Sequence, residues 1–127
     1  MNTIYNLIFN PKMTKGYGML IPINKIPKND IIWDYSNPIE AQEKAFEYLG
    51  DNAIIYRSDR SSKKYKIYNP ENNKWVYFGT MNPPMEDYTK HKDYKRMENY
   101  RSRATNIKGN WKSNPYSPNN LSLKILW

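Results

Sequence analysis

Lys64-Tyr65-Lys66-Ile67-Tyr68, then Asn69-Pro70-Glu71-Asn72-Asn73, then Lys74-Trp75-Val76-Tyr77-Phe78 with Gly79 after it, is the stretch that decides the fold. The first five residues alternate along the chain, and the last group is aromatic and β-branched. Both patterns suit a pleated surface with one covered face. The Pro and Asn residues between them favour a turn. The stretch predicts a β-hairpin over about residues 64–78, with Gly79 ending its second strand.

Upstream, Ala53–Arg57 is short and β-rich and supplies a further strand. Before it lies a helix with its own punctuation. Asn37 can cap free backbone N–H groups, Pro38 suits the first helical position, and Glu40 completes a capping-box-like spacing. Ile39, Ala45, Phe46 and Leu49 are expected to share the buried face, and Gly50 to stop the helix. Residues 1–35 are broken by Pro11, Pro22 and Pro27 and predict an extended arm, with Ile4–Phe9 and Met19–Ile23 as its only strand-like pieces.

Downstream, the Pro83-Pro84 pair makes Met81–Met85 a loop. A second helix is expected within Asp87–Thr105, where Tyr94, Met97, Tyr100 and Ala104 form an apolar stripe. Lys92, Arg96 and Arg103 fall on another face and point outward. Asn106–Asn120 reads as irregular. Leu121–Trp127 is apolar, so leaving it in water would be costly, and it is expected to pack on the core or into a neighbour. The fold class is therefore α+β: a short antiparallel sheet packed by two helices, with extended irregular N- and C-terminal arms. Residues 1–35 form the arm and 36–127 the small domain.

Charge and composition narrow the function. The 127 residues carry a formal charge of +8. Residues 1–60 balance seven cations with seven anions, and 61–127 hold thirteen against five, so the whole excess lies in the second half. Such asymmetry suits an anionic partner, either nucleic acid or an acidic protein surface. Asn, Lys, Ile and Tyr make up 57 residues, and Lys outnumbers Arg fifteen to five, which is the signature of AT-rich coding and accounts for part of the basicity. No apolar stretch approaches the roughly 20 residues of a membrane span.

Catalytic groupings are sparse. Cysteine is absent and His91 is the only histidine, so neither thiolate chemistry nor a multi-histidine metal site is available. No Gly-rich phosphate loop occurs. Asp87-Tyr88-Thr89-Lys90-His91-Lys92-Asp93 reads as a structural turn: Asp87, Thr89 and Asp93 orient a helix start, and His91 locks the turn by bonding a carboxylate or a carbonyl. The expectation is a non-enzymatic protein without metal, cofactor or small-molecule substrate.

Several of these groups keep order and spacing with a known pattern. Tyr56-Arg57-Ser58-Asp59-Arg60, Lys63-Lys64-Tyr65, Phe78-Gly79, Asp87-Tyr88-Thr89 with His91-Lys92-Asp93, then Arg96, Tyr100, Arg103 and Asn110-Trp111 resemble a small uncharacterised domain of nucleocytoplasmic large DNA viruses of amoebae and algae. Leu121-Ser122 and Ile125-Leu126-Trp127 look like its closing segment. The resemblance covers about residues 56–127. Ala104 departs from it where relatives carry His, and the loop Thr80–Met85 differs. The resemblance implies a viral setting rather than a reaction.

Together these readings predict a minor capsid or capsid-associated cement protein, located in the virion and, during assembly, in the virus factory of the host cytoplasm. Its partners would be capsid or other virion proteins. Trp33, Trp111 and Trp127 are the expected anchors, with Lys92, Arg96 and Arg103 steering toward an acidic surface. The alternative is a DNA-binding or genome-packaging protein that uses the same basic helix.

Overall fold

The computed structural model describes residues 20–127. Ile4–Phe9 and Met19 lie outside the described residues. The architecture is α+β: strands β1 (Ile55–Arg57), β2 (Lys63–Asn69) and β3 (Lys74–Thr80) form one antiparallel sheet in the order β1-β2-β3. Helices α1 (Ile32–Tyr35) and α2 (Pro38–Leu49) precede the sheet, and α3 (Tyr88–His91), α4 (Tyr94–Thr105) and α5 (Pro118–Leu121) follow it.

The hairpin forms where the sequence places it and extends one or two residues further at most ends. Tyr65 pairs with Phe78 and Ile67 with Val76, and these side chains face the main core. The partners Lys66–Tyr77 and Tyr68–Trp75 fall on the opposite face, because side chains alternate along a strand. The Asn69 carbonyl accepts from the Asn73 N–H at 2.9 Å, and Asn73 takes the left-handed conformation that Asn tolerates (φ 59°).

Gly79 lies inside β3 rather than after it. Its φ of 80° is one that L side chains rarely adopt. A Cβ there would also come within 2.9 Å of Leu126 Cδ1 and 3.0 Å of Lys64 Cβ. Glycine is thus required twice over, for backbone shape and for space.

Helix α2 starts as its cap predicts. Asn37 Oδ1 accepts from the N–H groups of Ile39 (3.1 Å) and Glu40 (3.3 Å), and Pro38 occupies the first helical position. Its buried face differs from the expected one. Pro38, Ala41, Gln42 and Ala45 are buried, Phe46 and Leu49 are half-buried, and Ile39 is 52% exposed. The reason is a polar clamp: Gln42 donates to the Ala53 carbonyl (2.8 Å) and accepts from the Ile55 N–H (2.9 Å). This buried amide turns its own face of the helix toward the edge of β1.

Residues 20–35 are not an extended arm. A 3₁₀ turn (Ile23–Lys25) and α1 fold back, and Ile23, Ile26 and Ile32 enter the core. Pro22 bridges to Tyr56, the Arg57 N–H donates to the Ile21 carbonyl, and Arg57 grips Asp30 in a two-point ion pair (Nε–Oδ2 3.0 Å, Nη2–Oδ1 3.2 Å).

The C-terminal stretch is equally folded in. Residues 106–117 are irregular as expected apart from a 3₁₀ turn (Trp111–Ser113), and α5 and a π-helical segment (Ser122–Leu126) then carry the apolar end onto the core. Leu121, Ile125, Leu126 and Trp127 are core residues of this chain. The Trp127 ring stacks on Tyr100 with centroids 4.2 Å apart and planes 6° from parallel.

Candidate functional site

Asp87 is the centre of the expected turn, and the structure makes it the centre of a closed polar network. Its side chain and that of Lys64 are almost wholly buried (0% and 3% exposed) and form an ion pair at 3.0 Å. The Lys64 ammonium also donates to the carbonyls of Tyr35 (3.1 Å) and Met85 (2.5 Å), so all three of its protons are placed. Burial lowers the Lys64 pKa, and the Asp87 charge opposes that shift.

The other carboxylate oxygen accepts from the Thr89 N–H (3.0 Å) and from the Thr89 hydroxyl. A carboxylate can only accept, so the single Thr89 hydroxyl proton is committed to Asp87. Thr89 Oγ1 therefore accepts from the Asn37 N–H (2.8 Å) and from Ser36 Oγ (3.2 Å), and Ser36 Oγ accepts from the Tyr65 hydroxyl (2.8 Å). The donors run Tyr65 to Ser36 to Thr89 to Asp87 from one side, and Lys64 donates to Asp87 from the other, so both arms end on the one carboxylate. Burial raises the Tyr65 pKa well above 10.0, so its proton stays in place at neutral pH. The network ties α1, α2, β2 and α3 together.

His91 locks the turn differently from the expectation. Its Nδ1 accepts from the Asp93 main-chain N–H at 2.8 Å, and neither a carboxylate nor a carbonyl is its partner. The ring lies edge-on to Tyr88 and tilted against Trp127, with centroids 6.0 and 5.2 Å away. Burial, with repulsion from Arg96, pulls its pKa below 6.5 against the pull of Asp93, Glu86 and Asp87. Asp93 caps α4 as expected, accepting from the N–H groups of Lys95 (3.0 Å) and Arg96 (3.2 Å).

The helix expected within Asp87–Thr105 is α4, and the short α3 precedes it, ended by Lys92, whose φ is 57°. Lys92 is thus off the α4 face that carries Arg96 and Arg103, and its ammonium pairs with Glu40 of α2. Arg96 and Arg103, two turns apart, share a flank of α4, with Arg96 3.8 Å from Glu86. Met97 and Ala104 are buried and Tyr100 half-buried, while Tyr94, placed in the apolar stripe by spacing, is 62% exposed.

The tryptophan anchors are mostly spent inside. Trp127 is buried, so it cannot be a partner anchor without unfolding the tail. Trp33 and Trp111 are half-buried, and their indole N–H groups donate to the carbonyls of Pro27 (3.0 Å) and Ile107 (2.8 Å). Trp111 and Trp127 both line one cleft beside the C-terminal segment and Trp111 borders a second, while Trp33, Arg96 and Arg103 line neither. Sequence reading missed Lys64, Ser36, Tyr65, Gln42 and Arg57 as organising polar residues.

Among the described residues no group of three or more His, Asp or Glu could hold a metal ion, and no helix is long and apolar enough to cross a membrane. A family of unknown function (DUF5754) matches residues 53–104, a span running from the start of the sheet to the end of α4 and holding Lys64, Gly79, Asp87, Thr89 and His91. The match covers less than half of the chain. No curated protein and no solved structure matches it.

Proposed function

We propose that this chain is a non-enzymatic component of a large DNA virus particle, a capsid-associated protein that attaches to a larger shell protein through the outer side of α4. The observation that carries the binding reading is the contrast in how the polar groups are spent. The Tyr65–Lys64 network closes on itself, whereas Arg96, Arg103, Lys95 and Tyr94 stand exposed on one element. Residues 87–127 carry nine Lys and Arg against three Asp and Glu, and two of those three, Asp87 and Asp93, are occupied internally. Exposed Arg and Tyr are the residue types that anchor interfaces, and a one-sign face speeds encounter with an acidic partner. The viral setting rests on the resemblance of residues 56–127 and on the AT-rich coding.

The test has two stages. Mass spectrometry of purified particles should find the protein, and cross-linking should join α4 to a shell protein. Arg96→Glu with Arg103→Glu should abolish that cross-link while leaving the fold intact. Binding to DNA with a steep salt dependence, lost in the same variant, would instead assign these cations to phosphates. Absence from particles would end the structural reading.

A further inference from the structure

Arg101 leaves α4 on the flank away from Arg96 and Arg103, since a two-residue step turns a helix by about 200°. There it borders a cleft of about 460 Å³ between α2, α4 and the C-terminal segment. Lys44 of α2, Lys112 of the 3₁₀ turn and Lys124 of the π-helical segment join it, so four elements each direct one cation to the same space. Glu47 is the single carboxylate on the lining. Among the described residues none of the four cations is ion-paired with an Asp or Glu side chain.

Two of the four rest near aromatic rings. Lys44 lies 5.4 Å from the Tyr88 ring and Lys112 5.5 Å from the Trp111 ring. One Arg101 N–H goes to the Trp127 main-chain oxygen at 2.8 Å, leaving the rest of its donor fork. Burial lowers the Lys44 pKa, and Lys92 and Arg101 add repulsion, against the pull of Glu40 and Asp87. Asn120 Nδ2 shares its two protons among the carbonyls of Trp111 (3.0 Å), Lys112 (3.2 Å) and Asn114 (2.9 Å) and so braces the loop that carries Lys112.

Four cations facing one carboxylate, Glu47, leave the cleft with an excess of positive charge whose members repel one another. An oligophosphate reverses the sign: it presents several charges and many acceptor oxygens within a few ångströms, where Arg supplies a fork and Lys compact point charges. We infer that this cleft is a binding site for an oligophosphate group, and that the triphosphate of a nucleotide is its source, with the Trp111 side as an apolar wall for the remainder of the ligand. The volume lies within the usual range for small-molecule sites, about 300–1,000 Å³.

Isothermal titration of the full chain with ATP, tripolyphosphate and adenosine tests this. ATP and tripolyphosphate should bind, and adenosine should not. Lys44→Gln combined with Lys112→Gln should weaken both by about tenfold or more. Lys74→Gln combined with Lys108→Gln removes the same charge from exposed positions outside the cleft and should change affinity less than about twofold. Circular dichroism should show both double variants folded; if the first is not, Lys124→Gln, an exposed position on the cleft, replaces it with the same expectation. Tighter binding of ATP than of tripolyphosphate supports the nucleotide source, and equal binding would overturn that part. Failure of both to bind at millimolar concentration, equal losses in the two double variants, or binding of adenosine as tight as that of ATP would overturn the site.

Discussion

Lys64 and Lys66 in the sheet and the cations of α4 share one chemistry and live under opposite physical conditions. In the sheet, each ammonium is buried and met by a carboxylate, Lys64 by Asp87 and Lys66 by Asp59. Lys66 also lies 4.9 Å from the Trp75 ring, and the Tyr77 hydroxyl donates to Asp59 at 2.7 Å. On α4, Arg96 and Arg103 stand in water with at most a long contact to Glu86. The lesson is that a cation counts toward the surface only where no carboxylate of the fold cancels it. Lys64 and Lys66 belong to the scaffold, and since Asp87 and Asp59 cancel them the formal +8 is carried by the remaining side chains.

Lys64 offers the sharpest way to break the comparison. Lys64→Ala leaves Asp87 buried without its counter-charge, and the expected cost is about 3–5 kcal/mol in urea or thermal unfolding. Replacing both partners, Lys64→Met with Asp87→Leu, should recover most of that loss, because the penalty belongs to the orphaned charge. A loss for Lys64→Ala as small as that for an α4 cation would erase the distinction.

Lys66→Met should cost less, about 1–2 kcal/mol, since Asp59 is partly open to water and can be solvated when its partner leaves. The gap between the two lysine variants measures how far burial of the acid, rather than of the lysine, sets the price.

His91 adds a smaller, pH-dependent effect between the two regions. Its pKa is depressed in the folded protein, so the unfolded chain takes up the proton first. Stability from neutral His91 is present above its ordinary 6.5 and is lost as the pH falls through the lower folded value. Protonation would also remove Nδ1 as acceptor for the Asp93 N–H. Between about pH 7 and pH 5 the Tm should fall more steeply for the parent than for His91→Gln.

The smallest stability change belongs to the exposed set. Arg103→Gln should move unfolding by less than about 0.5 kcal/mol, while weakening attachment to an acidic partner and flattening its salt dependence.

What was legible in the sequence was local. The hairpin carried its turn in Asn69–Asn73, and α2 carried its cap in Asn37-Pro38, so both are recovered with nearly the same limits. Spacing failed where a partner from elsewhere decides a side chain's side. Ile39 and Tyr94 fit an apolar stripe, yet Gln42 sets the orientation of α2, and α4 lays Met97, Tyr100 and Ala104 inward without Tyr94. The burial of Lys64 was invisible because its acid lies 23 residues away on another element. The importance of Asp87 and Thr89 was visible as an N-cap pattern, but the Ser36 and Tyr65 bonds that extend it were not. The cationic cleft likewise needs α2 and the C-terminal segment side by side, which no local pattern announces.

The contact of Leu126 with the Gly79 backbone has a consequence for the order of events during synthesis. A nascent chain that has emerged through Asn120 already holds both strands of the hairpin and α2, yet it lacks the plug that covers them: Leu121, Ile125, Leu126 and Trp127. The ribosome therefore delivers the hairpin and α2 well before the residues that seal them. Closure waits on contacts spanning more than forty positions, a long-range step that slows folding and leaves an oily surface open to chaperones in the interval.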